Sequence, residues 1–170
     1  MGSEPHQEET ADLRFVLDAH LGKLAALLRL LGFDCLYRND YEDTELAHIA
    51  DAEERILLSR DRQLVEQRHV RRACLVLSDQ PFEQAREVIG RYNLCSRARP
   101  WSRCLACNGI IEPVEKAAIA HLLQPRTKLY YERFSRCSRC GRIYWEGSHH
   151  RAMSTVLAEL TRETERRRDP

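Results

Sequence analysis

Short apolar runs alternate with helical stripes through the first half of the chain. The run Leu13-Arg14-Phe15-Val16-Leu17 stops at Asp18 and has the length of a buried strand. Leu21, Leu24, Leu28 and Leu31 then recur at helical spacing, and Gly32 is placed to end that helix. Phe33 to Tyr37 predicts a second strand. A polar loop from Arg38 to Glu42 leads to Asp43 and Thr44, both suited to cap a helix whose apolar face carries Leu46, Ile49 and Ala50. Arg55 to Ser59 predicts a third strand, followed at once by Arg60-Asp61. Ala73 to Leu77 predicts a fourth, and Phe82, Ala85, Ile89 and Tyr92 mark the next helix. Strands alternating with helices predict βαβ units and a mostly parallel sheet, with right-handed crossovers placing helices on both faces. The expected class is α/β.

The rhythm stops near Asn93. Residues 93–100 read as a linker, segment 101–147 holds two Cys-x-x-Cys pairs, and a closing helix is expected over 149–164. Residues 1–11 read as a disordered lead and the end from Arg166 as frayed. The expected division is one domain over 12–92 and a small cysteine-bearing unit over 101–147.

Composition narrows the class. The 170 residues are 43% hydrophobic and 31% charged, enough for one domain with an appendage and too apolar for a wholly disordered chain. No apolar run approaches the roughly 20 residues of a membrane span. The acidic start, Met1 to Arg14, shows no apolar signal core, so a cytoplasmic protein is expected. Seven cysteines is an odd count, and four of them sit in the two pairs, which favours metal binding over a disulfide framework. The net charge of +1 hides an asymmetry. Asp12–Gly90 carries 11 Lys/Arg against 15 Asp/Glu, a net of −4, whereas Arg91–Arg151 carries 12 against 4, a net of +8. The basic segment suits nucleic acid, although a solvated surface without a ligand would have the same composition. Glycine-rich dinucleotide and triphosphate loops and a G-x-S-x-G elbow do not occur.

Cys104-Leu-Ala-Cys107-Asn-Gly109 and Cys137-Ser-Arg-Cys140-Gly141 have the form of two knuckles, each bringing two thiolates to one ion from a tight turn. The glycines can take positive φ and leave amides free to face sulfur. Four thiolates suit a closed, structural zinc site; a redox dithiol or an iron–sulfur cluster are the alternatives. The 29 residues between the pairs leave room for a hairpin with an insertion. Cys35 and Cys74 fall in apolar runs and read as core.

Acidic residues recur where strands end. Asp18 and Asp61 follow strands one and three, Asp40 and Asp43 lie beyond strand two, and Asp79 lies beyond strand four. In an open parallel sheet the strands' carboxyl ends form the ligand crevice. Carboxylates converging there repel one another unless a hard cation such as Mg²⁺ or Mn²⁺ binds them, and such a cation serves phosphodiester chemistry. Each residue taken singly also reads as a cap or turn, Asp40 and Asp79 most of all.

The segments FVLDAHLGKLAALLRLLGFD, DTELAHIA, ERILLSRDRQL, SRCLACNG and RCSRCGRIYWEGSHHRAM together resemble the Mut-seven C-terminal RNase domain family, PIN-like nucleases with an appended zinc ribbon. The resemblance runs from Leu13 to Met153. It implies a PIN-like three-layer α/β/α sandwich with a C-terminal zinc ribbon, a divalent-metal acidic site and action on RNA. Asp18 matches the first-strand acid, Asp43 the acid opening the D-x-E-L helix and Asp61 the acid of the T/S-R-D turn, with Ser59 where threonine is commoner. Asp79 is a fourth, weaker candidate.

Arginines crowd the ribbon, Arg103, Arg136, Arg139 and Arg142 among them, with Trp101, Tyr130, Tyr131, Phe134, Tyr144 and Trp145 interleaved. Arginine pairs with phosphate and aromatics stack on unpaired bases, but a small ribbon also needs rings for its core, the reading favoured for Tyr144 and Trp145. His149 is expected to brace the junction of ribbon and sheet; His20 is open between packing and an active-site contact. The resulting expectation is a ribonuclease in which Asp18, Asp43 and Asp61 hold Mg²⁺ or Mn²⁺, Cys104, Cys107, Cys137 and Cys140 hold zinc, and the basic ribbon positions single-stranded RNA. The alternative is a non-catalytic RNA-binding or ribosome-associated module whose acidic site is vestigial, and ribosome or tRNA are the partners considered.

Overall fold

A computed structural model describes residues 13–67 and 70–166; the readings of 1–11 as a lead and of 167–170 as part of a frayed end lie outside the described residues. Four strands, β1 (Arg14–Leu17), β2 (Asp34–Tyr37), β3 (Ile56–Ser59) and β4 (Ala73–Leu75), form one sheet in the order β2-β1-β3-β4. Every pairing in it is parallel. The two central strands are apolar without alternation, and Phe15, Val16, Leu17 and all of β3 are buried. That is the pattern of strands covered on both faces.

A 3-10 turn, Ala19–Leu21, leads into α1 (Gly22–Leu30); α2 (Asp43–Ala52), α3 (Arg62–Val65) and α4 (Pro81–Tyr92) follow the other strands. On one face Leu24 and Leu28 of α1 and Ala85, Val88 and Ile89 of α4 close over Phe15, Leu17 and Leu58. On the other, Leu46, Ala47 and Ala50 of α2 and Leu64 of α3 close over Val16 and Leu57. Burial of each such leucine contributes about 1.5–3 kcal/mol. The three layers are α/β/α.

Two boundaries depart from the sequence pattern. Strand β4 does not reach Leu77, because the amides of Leu77 and Ser78 donate to the Glu87 carboxylate instead of a neighbouring strand. The cap of α2 is Glu42, without a side-chain bond, and Asp43 is the first helical residue. Neither Asp43 nor Thr44 caps the helix, because the extended backbone that a cap needs falls at Glu42.

The second sheet is antiparallel, with β5 (Ile111–Val114), β6 (Phe134–Cys137) and β7 (Ile143–Trp145) in that order. Between β5 and β6 the chain inserts α5 (Lys116–Ile119) and α6 (Pro125–Tyr130). Finally α7 (Ser148–Arg166) packs against α4 and adds Val156, Leu157 and Leu160 to the first core.

Residues 93–100 are tied down. A 3-10 turn, Leu94–Arg97, is followed by bonds from the Arg99 amide to Leu31 O (2.8 Å) and from the Trp101 amide to Leu30 O (3.2 Å), which occupy carbonyls left open at the end of α1. Gly32 has φ of +95°, and a Cβ there would lie 2.1 Å from Arg99 O. Gly32→Ala is therefore expected to destabilise the fold by about 1–3 kcal/mol, read as a melting temperature lowered by roughly 5 °C; an unchanged melting curve would contradict the crossing.

The first knuckle meets β2, an edge strand. Asn108 Oδ1 accepts from the Cys35 amide (2.9 Å), and its Nδ2 donates to Asp34 Oδ1 (2.8 Å). Arg55, buried, donates to the same Asp34 oxygen (2.7 Å) and to Phe15 O. Arg29, also buried, donates to Cys35 O through Nε and Nη2, and through Nη1 to Leu105 O (3.0 Å) and Ala106 O. Burial alone would raise the Asp34 pKa, but bonds from Arg55 and Asn108, with the charges of Arg55 and Arg103, outweigh it and hold the carboxyl below its ordinary value. A carboxyl lowered by folding stabilises the protein above its unfolded pKa, about 3.9, and that contribution disappears as pH falls through the folded value. Asp34→Asn is expected to lower stability at neutral pH and to flatten its decline below about pH 4. Urea titrations across pH check this, and an unaltered acid limb would count against it.

Candidate functional site

At the carboxyl end of the sheet, Asp18 follows β1 and is 6% exposed. Its Oδ1 accepts from the His20 amide (2.8 Å), while Oδ2 accepts from the Ser59 hydroxyl and from the Arg60 amide (3.2 Å). The Ser59 hydroxyl in turn accepts from the Asp61 amide (2.9 Å). One buried hydroxyl at the end of β3 therefore ties the two strand-end acids together. The sequence marks it as the single polar residue closing an otherwise apolar strand, Ile56-Leu57-Leu58-Ser59.

Asp61 caps α3, its Oδ1 accepting from the amides of Gln63 (2.8 Å) and Leu64 (3.4 Å). Asp43 stands exposed in the first turn of α2. Asp79 is exposed and accepts from Gln80 Nε2, and Asp40 pairs with Arg38 at 2.7 Å. His20 is 85% exposed on its side chain, with Nδ1 3.6 Å from Asp18 Oδ1. Asp18 and Asp61 thus share one hydrogen-bonded edge. Among the described residues, however, Asp18, Asp43 and Asp61 do not form a group with all three donor atoms within 4.8 Å. The donors at this edge are oxygens, the set that suits a hard divalent cation.

The four cysteines do converge. Cys104, Cys107, Cys137 and Cys140 have sulfurs within 4.8 Å of one another, with Cys104–Cys140 at 3.7 Å and Cys107–Cys137 at 3.4 Å. A tetrahedron of 2.3 Å zinc–sulfur bonds has edges of about 3.8 Å. Burial opposes the thiolate at Cys104, but the Tyr144 hydroxyl at 3.0 Å and nearby backbone amides prevail and bring its pKa to about 6. Cys107 is pushed up to about 12, by burial and then by the sulfurs around it. Four sulfurs gathered this closely are placed to hold one metal ion.

The amides of Arg139 and Cys140 face Cys137 Sγ, as the knuckle form requires. Gly141 has φ of +73°, but at the first knuckle it is Asn108 that turns left-handed (φ 67°). Gly109 is needed for space instead, since a Cβ there would lie 2.7 Å from Cys137 Sγ. Cys35 and Cys74 are buried in the core, and none of the seven cysteines is in a disulfide.

The arginines separate into two kinds. Arg103 donates to Asn108 O and lies 3.6 Å from Asp34, and Arg139 donates to Cys107 O, so both help hold the knuckles. Arg136 and Arg142 are exposed. Trp145 is 36% exposed rather than core, because the three-stranded sheet has too few residues to cover it. Tyr144 is partly buried against Cys104. The histidine bracing the junction is His150, stacked on Trp101 at 3.9 Å; His149, one residue along the helix, points elsewhere and is exposed.

No curated protein and no solved structure matches the chain. The family model for the Mut7-C RNAse domain matches residues 13–157, which include both ends of the acidic edge and all four clustered cysteines. The chain therefore belongs to the Mut7-C RNAse domain family, a nuclease family whose substrate class is RNA.

Proposed function

We propose that the protein is a metal-dependent ribonuclease, with a catalytic unit over 12–92 and a zinc ribbon over 101–147 that positions the strand. The observation that carries this reading is the Asp18–Ser59–Asp61 link at the carboxyl end of the parallel sheet. Asp18, Asp61 and Asp43 would hold Mg²⁺ or Mn²⁺, with Asp79 at the margin. A cation there supplies charge at the phosphodiester oxygens and a lowered pKa for water. The chain's own residues do the positioning. Ser59 orients the Asp18 carboxylate by donating to Oδ2, and the Arg60 amide fixes the same oxygen. The Asp61 cap bonds use Oδ1, which leaves Oδ2 for a ligand. Exposed Arg136 and Arg142 carry phosphate contacts. A cytoplasmic setting belongs to this reading.

A second reading is favoured by one observation: among the described residues, Asp18, Asp43 and Asp61 are not gathered with all three donor oxygens within 4.8 Å of one another. It makes the protein a non-catalytic RNA-binding module, associated with the ribosome or tRNA. Labelled RNA incubated with the purified chain, with and without Mn²⁺, separates the two. Cleavage that needs Mn²⁺ and is lost in Asp18→Asn supports the nuclease. Salt-sensitive RNA binding without cleavage at any divalent ion supports the second reading.

A further inference from the structure

The ribbon carries a groove of about 740 Å³ on the side facing the linker and α7. Its size is that of a small-molecule site. The chain has two tryptophans, and both line it, Trp101 on one wall and Trp145 on another. Their placement is fixed in advance. Trp101 holds φ of +65°, a conformation costing of order 1 kcal/mol for a non-glycine residue, and its indole lies parallel to the His150 ring at 3.9 Å and 23°. Trp145 is backed by Phe134 across the strand pair, and its indole edge occupies space that a side chain at Gly147 would fill (2.8 Å). Trp145 is exposed and Trp101 partly so, and rings held in place with surface open to a groove are the equipment of a stacking site.

A second depression of about 560 Å³ adjoins the groove, and Pro113 and Val114 form a wall common to both. Arg136 and Arg139 line it beside Gly141. One side of this wall is aromatic, and the other carries the two arginines beside Glu112 and the sulfurs of Cys137 and Cys140; ring and guanidinium are the complements of a nucleotide's base and phosphate.

We propose that these two depressions form a nucleotide-binding site for single-stranded RNA, with an unpaired base entering the Trp101–Trp145 groove and its phosphate lying on Arg136, beside the Arg139 that is held on Cys107 O. The choice of RNA rests on the ribonuclease reading; the site itself rests on the rings and charges. Lys116 paired with Glu132 (2.6 Å) and Arg133 paired with Glu146 (3.2 Å) stand at the rim and offer both donors and acceptors to a base edge. The Trp101 amide bonds Leu30 O at the finishing end of α1, whereas Asp18 precedes the start of that helix. The site therefore grips the strand away from the acidic edge, and its residues position substrate without touching the reacting atoms.

Intrinsic fluorescence reads the site directly, because its two tryptophans are the chain's only ones. The zinc-loaded full chain carrying Asp18→Asn is titrated, without Mg²⁺ or Mn²⁺, with a single-stranded oligoribonucleotide of about ten nucleotides. Saturable quenching is expected with the single strand and not with the same sequence as a perfect duplex, whose bases are stacked away. Trp145→Leu should weaken binding about ten-fold or more, and Trp145→Phe should restore most of it. Arg136→Ala should weaken binding and make it less steep in salt. Zinc content checks each variant's fold; should Trp145→Leu lose zinc, the parent's quenching and Arg136→Ala decide. RNA binding measured by anisotropy with no change in tryptophan emission overturns the proposal. So does quenching by a lysine- and arginine-rich peptide but not by RNA, which would assign the groove to the acids of its rim. Mn²⁺-dependent cleavage by the parent chain without quenching defeats this site alone, and quenching without cleavage defeats the nuclease alone.

Discussion

Asp18→Asn is expected to reduce RNA cleavage about a hundred-fold or more, the scale of losing one preorganised charged group at a phosphoryl centre. The effect has two sources, and they can be separated. Removing the carboxylate charge weakens the hold on a divalent cation, so raising Mn²⁺ should recover part of the rate. The second source is local: Asp18 Oδ2 accepts from both Ser59 and the Arg60 amide. An asparagine NH₂ in that place can donate to Ser59 but leaves the Arg60 amide facing another donor, at a cost of about 1–3 kcal/mol. A modest fall in melting temperature should therefore accompany the loss of activity, with zinc content unchanged. A variant that cuts at the parent rate would remove Asp18 from the site. Ser59→Ala should show a smaller loss of the same kind, because it frees the carboxylate to turn without removing its charge.

Loss of zinc is expected to be felt in the parallel sheet as well as in the ribbon. Structural zinc sites contribute on the order of 10 kcal/mol to the folding of the units that hold them. Here the first knuckle supplies Asn108 to the Cys35 amide and two carbonyls to the buried Arg29 guanidinium. Cys137→Ser, or chelation, should release those groups and leave a buried cation short of acceptors. The expected result is a fall in melting temperature of well over 5 °C and faster hydrogen exchange at Cys35, while Val16 and Leu57 in the central strands stay protected. Unchanged exchange at Cys35 in a zinc-free chain would show that the knuckle does not hold that edge.

The strands and helices of the first sheet were legible because burial on both faces writes a plain signal, four apolar runs separated by helical stripes. The cysteine centre was legible because its chemistry demands two short spacings. What the sequence hid depends on distant contacts. Asp34 looks like any polar residue at a strand start, and its meaning comes from Asn108, 74 positions away. Arg29 sits among leucines, and nothing local says that carbonyls of a knuckle 76 and 77 residues on will receive its guanidinium. Trp145 reads as core by composition, yet a three-stranded sheet cannot enclose it. The strand-end positions of Asp18 and Asp61 were readable; the Ser59 hydroxyl that links the Asp18 carboxylate to the Asp61 amide was not, since it depends on the pairing of β1 with β3.

The knuckle on β2 has one more consequence, for association between molecules. A parallel sheet ends in strands whose outer amides and carbonyls invite another strand, and such edges are templates for aggregation. On the β2 side the Cys35 amide and carbonyl are already taken, by Asn108 and Arg29. The first knuckle thereby acts as a stopper on an otherwise adhesive edge. A chain cut after residue 97 would expose that edge together with the core surface that α7 covers, and it should self-associate rather than persist as a smaller folded unit. Opening of the cysteine centre would then lower the solubility of this protein, not only its rigidity.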